Sequence, residues 1–141
     1  MAGYSGTPLA KKLGIKPAAR LFTVAAPSHY DELLAPLPED VKRVRKIDDA
    51  DVAHFFVTAR ARLDKELRAA VPKMKQDAAI WISWPKKSSK VETDITEDTI
   101  REVALPLGLV DIKVCAVDEI WSGLKLVIRK QLRKPASRSR S

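Results

Sequence analysis

Two near-continuous apolar runs, Val52–Val57 (VAHFFV) and Ala78–Trp84 (AAIWISW), constrain the fold of this chain more than any other feature. A strand with one wet face alternates apolar and polar residues, whereas a run without alternation needs cover on both faces. Helices supply such cover above and below a parallel sheet, so the two runs predict layered α/β architecture. The second run stops at Pro85 and leads into Lys86-Lys87-Ser88-Ser89-Lys90, a loop carrying three cations and two hydroxyls. In an open α/β sheet such a loop lies at the carboxyl end of a central strand, where ligands bind.

Helical segments alternate with the strands. Thr7–Leu13 reads as a short helix with Thr7 as N-cap, Pro8 at the first helical position and Gly14 as its stop. Ala19–Ala26 follows as a strand through Leu21, Phe22 and Val24. Ser28 is the expected N-cap of a helix across His29–Ala35, with Asp31 and Glu32 in its first turn. Thr58 is expected to cap Ala59–Val71, whose Leu63, Leu67, Ala70 and Val71 form one apolar stripe. Thr96 caps a helix reaching Leu105 or Leu107, with Ile95 and Ile100 at the positions of a hydrophobic staple and Gly108 beyond its end. Val110–Val117 and Leu124–Arg129 are short-linked strands and predict an antiparallel hairpin. Its second strand, placed at the sheet edge, would use Lys125 and Arg129 against edge-to-edge pairing, which favours a monomer.

One link is awkward. Val41–Arg45 has weak strand character, and about six residues separate it from Val52, too few for a helical crossover. Either it is not a parallel strand, or its return path is unusually tight.

A chain of 141 residues matches one domain of ordinary size and buries enough surface to need no staple. Its single cysteine, Cys115, forms no internal disulfide, which suits a reducing compartment. With no apolar run of about 18 residues, the sequence reads as soluble and cytoplasmic rather than membrane-bound. The net charge of +8 is concentrated at one end: residues 125–141 carry seven cations (Lys125, Arg129, Lys130, Arg133, Lys134, Arg138, Arg140) and no acid. Residues 1–130 therefore read as the domain and 131–141 as a basic, disordered tail. Residues 125–141 could neutralise nucleic-acid phosphates without sequence preference, lacking aromatics for stacking in the tail.

Three features resemble a small S-adenosylmethionine-dependent methyltransferase domain: the KLGIKP lead-in to the first strand, DDADV before a buried strand, and the terminal hairpin. More closely, the chain resembles the bacterial domain of unknown function 3052 family across residues 3 to about 130. The matching residues are Tyr4-Ser5-Gly6-Thr7-Pro8-Leu9-Ala10-Lys11-Lys12-Leu13-Gly14, Trp84-Pro85-Lys86-Lys87-Ser88-Ser89, Val114-Cys115-Ala116-Val117-Asp118-Glu119 and Trp121-Ser122-Gly123-Leu124-Lys125. The resemblance implies a single Rossmann-like α/β domain: a mostly parallel central sheet, helices on both faces and a C-terminal antiparallel hairpin. It does not imply an activity. Methyltransferases turn out of their first strand through glycines, which let the backbone approach the cofactor. Here that turn is Ala25-Ala26-Pro27-Ser28-His29, and the acid expected after the second strand has only Asp48 and Asp49 as candidates. S-adenosylmethionine in the usual mode is therefore not expected.

Four segments fall at strand carboxyl ends in this arrangement: Ser28-His29-Tyr30, Thr58-Ala59-Arg60, Trp84–Lys90 and Asp118–Trp121. From them, Ser28, His29, Trp84, Lys86, Lys87, Ser88, Asp118 and Trp121 form the candidate site for a small anionic or nucleotide-like ligand. Lysine charge and serine hydroxyls suit phosphate, and Trp84 or Trp121 could line the pocket or stack a ring. His29 could act as a general base near Asp118 or Glu119. His54 and Trp81, inside apolar runs, read as core, and Cys115 as a small hydrophobe. Two distant histidines and one cysteine offer no metal-ligand spacing. The expectation leans to a non-catalytic or cryptic ligand-binding domain, with two alternatives left open: a nucleic-acid-associated protein using its basic tail, and an active S-adenosylmethionine-dependent methyltransferase.

Overall fold

The computed structural model describes residues 8–133. The expected Thr7 cap, the Tyr4–Thr7 motif and the tail from Lys134 onward lie outside the described residues. In chain order the elements are α1 (Leu9–Lys12), β1 (Arg20–Val24), α2 (Tyr30–Leu34), β2 (Lys42–Arg43) and β3 (Val52–Phe56). They continue with α3 (Arg60–Ala70), β4 (Ala79–Pro85), α4 (Glu97–Ala104), β5 (Leu109–Ala116) and β6 (Trp121–Ile128).

The six strands form one sheet in the order β2-β1-β3-β4-β6-β5. Strands β1 to β4 pair in parallel, whereas β6 pairs antiparallel with both β4 and β5. The sheet is thus mixed, and the hairpin strand expected at its edge is interior. Strand β6 sits between β4 and β5, so β5 is the edge and Lys125 cannot guard it. The monomer argument built on Lys125 and Arg129 falls with that placement.

All five residues of β3 and all seven of β4 are buried, as their unbroken apolar runs require. Period-two alternation divides their side chains between two layers. Ala53, Phe55, Ile80, Ile82 and Trp84 join Leu63, Leu67, Ile100 and Val103 under α3 and α4. Val52, Phe56 and Trp81 join Leu9, Leu13, Leu21, Tyr30 and Leu34 under α1 and α2. Helices therefore cover both faces.

The tight return path is the correct alternative for Val41–Arg45. Its two strand residues pair in parallel with β1, and a 3₁₀ turn over Ile47–Asp49 carries the chain to the far side of β1. Strand order consequently reverses at β1, which makes the crevice between β1 and β3 the topological switch point.

Helix ends show where local rules hold. Gly14 (φ +78°) and Gly108 (φ +95°) adopt the left-handed conformation that stops α1 and the turn after α4. Thr96 caps α4 through a box in which Thr99, rather than Glu or Gln, returns the bond. Removing it as Thr96→Ala is expected to lower stability by about 1 kcal/mol in urea denaturation. Thr58 and Ser28 are not the caps expected of them. The N-caps are Ala59 and His29, neither using its side chain. For α3 the side-chain acceptor comes from elsewhere: the Arg60 N–H donates to Asp94 Oδ1 at 2.7 Å. After β6, Lys130–Leu132 form a 3₁₀ turn and Arg133 Nε donates to the Ile128 carbonyl at 2.8 Å.

Candidate functional site

The parallel strands all point their carboxyl ends to one edge of the sheet, and the β5–β6 turn reaches the same edge because β6 runs the other way. Two bonds tie three of the four candidate segments together there. His29 Nε2 lies 2.9 Å from Asp118 Oδ2, bridging the β1 exit to the hairpin turn. The Lys86 N–H donates to the Ile120 carbonyl at 2.7 Å, fastening the β4 exit to the same turn. The fourth segment turns away. The Thr58 carbonyl accepts from Thr93 Oγ1, and Thr58, Ala59, Glu92, Thr93 and Asp94 line a separate cavity of about 420 Å³. Its carboxylates suit hydroxyl or amino donors rather than phosphate.

Asp118 is 6% exposed, and its carboxylate is fully engaged. Oδ1 accepts from the Ile120 and Trp121 N–H groups at 2.8 and 2.7 Å, closing the hairpin turn, while Oδ2 faces His29. A carboxylate fixed in this way orients the imidazole: with Nε2–H donating to Asp118, Nδ1 is left as the basic nitrogen. His29 is half-exposed, in keeping with access from solvent.

The lysine loop is ordered by its own backbone. Ser89 Oγ donates to the Lys86 carbonyl and accepts from Val91 N–H, and Lys90 closes the turn at φ +63°. Lys87 and Ser88 are exposed and Lys86 half-buried. The ammonium groups of Lys86, Lys87 and Lys90 have no carboxylate partner among the described residues. Ser28 is exposed at the β1 exit.

The two tryptophans part company. Trp84, 8% exposed, packs into the core beneath α3 and α4, on the side away from His29. Trp121 is half-buried on the α1–α2 side, edge-on to Phe56 with ring centroids 5.1 Å apart. Phe56 in turn stacks on His54 at 4.3 Å.

His54 is the satisfied core histidine expected. Its Nδ1 lies 2.9 Å from the Tyr30 hydroxyl and its Nε2 2.7 Å from Ser83 Oγ. Complete burial pushes its pKa down to about 3 and keeps the ring neutral, while burial raises that of Tyr30. This chain of polar groups crosses α2, β3 and β4, and nothing local in the sequence announces it. The Asp94 acceptor for α3 was equally hidden, because 34 residues separate it from Arg60. Trp81 is fully buried as expected, its indole N–H donating to the Leu13 carbonyl at 3.0 Å. Cys115 is half-buried, and burial pushes its thiol pKa up, consistent with a small packing group.

No family model matches the sequence, and no curated protein matches it. Solved structures do. A SAM-dependent methyltransferase from Aquifex aeolicus superposes with a TM-score of 0.54 at 13% identity, over 85% of this chain and 87% of that one. The B. subtilis M1A22 tRNA methyltransferase TrmK gives 0.53 at 11% identity, over 89% and 67%. The O-methyltransferase NcsB1 of neocarzinostatin biosynthesis, solved with S-adenosylmethionine and 2-hydroxy-5-methyl naphthoic acid, gives 0.59 at 11% identity. That match covers 90% of this chain and 51% of the enzyme. The chain has the Rossmann-like fold of these methyltransferases, and at such identities the likeness is one of fold alone.

Proposed function

We propose that this protein is a ligand-binding domain on a degenerate methyltransferase-like fold, taking a small anionic, nucleotide-like ligand at the carboxyl edge of its sheet. The observation that carries the reading is the set of unpaired cations on Lys86, Lys87 and Lys90, on a loop bonded to the same turn that holds His29 and Asp118. Lys86, Lys87 and Ser88 would contact the anion, Ser28 and His29 would flank it, and the exposed part of Trp121 would offer an aromatic surface. Asp118 would act through His29 by holding its ring. Trp84 would support the β4 exit from below.

The β1 exit does not fit S-adenosylmethionine in the glycine-turn mode. Ala25 sits at φ +59°, a left-handed conformation that glycine adopts without cost, yet it carries a Cβ. Ala26 and Pro27 add further side-chain atoms and remove a backbone donor. Helix α2 has five residues, so it presents little dipole to a phosphate or carboxylate. The resemblance to the domain of unknown function 3052 family rests on the sequence motifs alone and bears on the fold, not on the activity.

A nucleotide panel is expected to raise the melting temperature, and Lys86→Ala combined with Lys87→Ala to remove the part of the rise that binding at the carboxyl edge contributes. No shift with any member of a broad nucleotide and metabolite panel would sink the reading. One observation favours a second reading, an active transferase: Asp118 fixes His29 with Nδ1 free to accept a substrate proton. Saturable heat on titrating S-adenosylmethionine, together with methyl transfer that His29→Ala abolishes, would establish it in place of the first.

A further inference from the structure

The opposite edge of the sheet carries a second concentration of charge. Lys125 on β6 stands directly opposite Lys113 on β5, on the face covered by α1. Like charges paired across strands destabilise a sheet unless something compensates them. Lys16, in the turn between α1 and β1, adds a third ammonium whose charge also acts on Lys125. Burial together with these two neighbours pushes the Lys125 pKa down. Among the described residues, none of Lys16, Lys113 and Lys125 has a carboxylate partner.

Lys16 and Lys125 border a formed cavity, and Lys113 stands beside Lys125 on the neighbouring strand. The cavity measures about 350 Å³ and is lined by Leu13–Gly14, Lys16–Ala19, Asp51–Val52, Asp77, Ala79 and Lys125. Its walls are fixed: the Trp81 indole pins the Leu13 carbonyl to β4, and Gly14 passes so near the lysine that an added Cβ would lie 3.7 Å from Lys125 Nζ. The far wall is acidic. Asp51 is occupied by Lys75 at 3.0 Å and by the Arg20 N–H at 2.9 Å, whereas Asp77 is exposed and has no partner among the described residues. The cavity therefore offers cations on one side and a free carboxylate acceptor on the other.

We infer that this cavity binds a small phosphate-bearing molecule, its phosphate on Lys16 and Lys125, with Lys113 adding positive charge from across the strand pair, and a hydroxyl or amino donor on Asp77. The site is distinct from the carboxyl-edge lysines and shares no residue with them. A bound phosphate removes the like-charge cost that the empty arrangement carries, so ligand binding and folding stability rise together.

The test uses the full chain, with adenosine monophosphate, pyrophosphate and a twelve-nucleotide single-stranded RNA as probes in thermal-shift and calorimetric titrations. Adenosine monophosphate is expected to raise the melting temperature by about 4 °C or more when present far above its Kd. Lys16→Gln and Lys125→Met are each expected to weaken it at least tenfold, and Asp77→Asn to weaken adenosine monophosphate but not pyrophosphate. Lys113→Gln is expected to raise the melting temperature of the ligand-free protein and to reduce the response to phosphate. If Lys125→Met fails to fold, the exposed Lys16 and Lys113 variants decide the matter. The inference is overturned if neither small probe binds, or if only the RNA binds. It is also overturned if Lys86→Ala with Lys87→Ala abolishes the response while the Lys16 and Lys113 variants keep it. That last pattern would assign the phosphate to the carboxyl edge and leave the proposed function standing.

Discussion

Trp81→Ala is expected to cost about 4 kcal/mol, because deleting a fully buried indole removes its transfer energy and leaves a cavity that the surroundings fill only in part. Two neighbours make collapse difficult. Gly123 lies against the ring, close enough that a Cβ there would meet Trp81 Cε3 at 3.2 Å, and the Leu13 carbonyl would lose its indole donor. An orphaned buried carbonyl adds roughly 1 kcal/mol or more. Against a total stability of roughly 5–15 kcal/mol, the variant should unfold at least 10 °C below the parent. Trp81→Phe helps to separate the two contributions, because it keeps much of the ring volume while removing the hydrogen bond. Urea denaturation followed by circular dichroism measures both. A loss below about 2 kcal/mol for Trp81→Ala would mean that α1 does not hold this face of the sheet as described.

The residues that make Trp81 so costly also mark how far a sequence can be read. Its burial was legible, since AAIWISW permits no wet face, and Gly14, Gly108 and Thr96 announced their helix ends through local chemistry. Each of those signals acts within a few residues of its cause. The position of β6 does not. A short turn makes β5 and β6 neighbours whichever of them lies outermost, and the choice is made by bonds to β4 some 40 residues earlier, such as Ile82 opposite Leu124. The two mistaken caps have the same origin. Thr58 looks like a cap locally, but its carbonyl is held by Thr93 while Asp94 reaches the helix instead. Of the candidate site, the proximity of His29 to Asp118 followed from topology, whereas the fate of Trp84 depended on which face of β4 it occupied. One residue of register decides that, and register is set by partners elsewhere in the chain.

Acid should destabilise this protein through His54 well before its ordinary carboxylates are protonated. The buried ring has Tyr30 on one nitrogen, Ser83 on the other and Phe56 stacked on its face, with no carboxylate bonded to it to stabilise an imidazolium. Its folded pKa is about 3, against about 6.5 in the unfolded chain. Between those values the unfolded state binds a proton that the folded state refuses, so falling pH favours unfolding. The contribution is intact above about pH 6.5 and is lost at up to about 1.4 kcal/mol per unit as pH drops through the window. Going from pH 6.5 to 5 should therefore remove roughly 2 kcal/mol, a shift of several degrees in melting temperature. His54→Gln, which puts a non-titrating carboxamide donor and acceptor in place of the imidazole nitrogens, should be less stable at neutral pH and show a flatter profile across that range. Nuclear magnetic resonance gives an independent reading on the parent protein: the His54 ring signals should stay at neutral positions from pH 8 to 5 while those of half-exposed His29 remain accessible to solvent exchange. A His54 resonance that titrates near 6.5 in the folded state would contradict the buried Tyr30–His54–Ser83 chain, and with it the packing of α2 against β3 and β4.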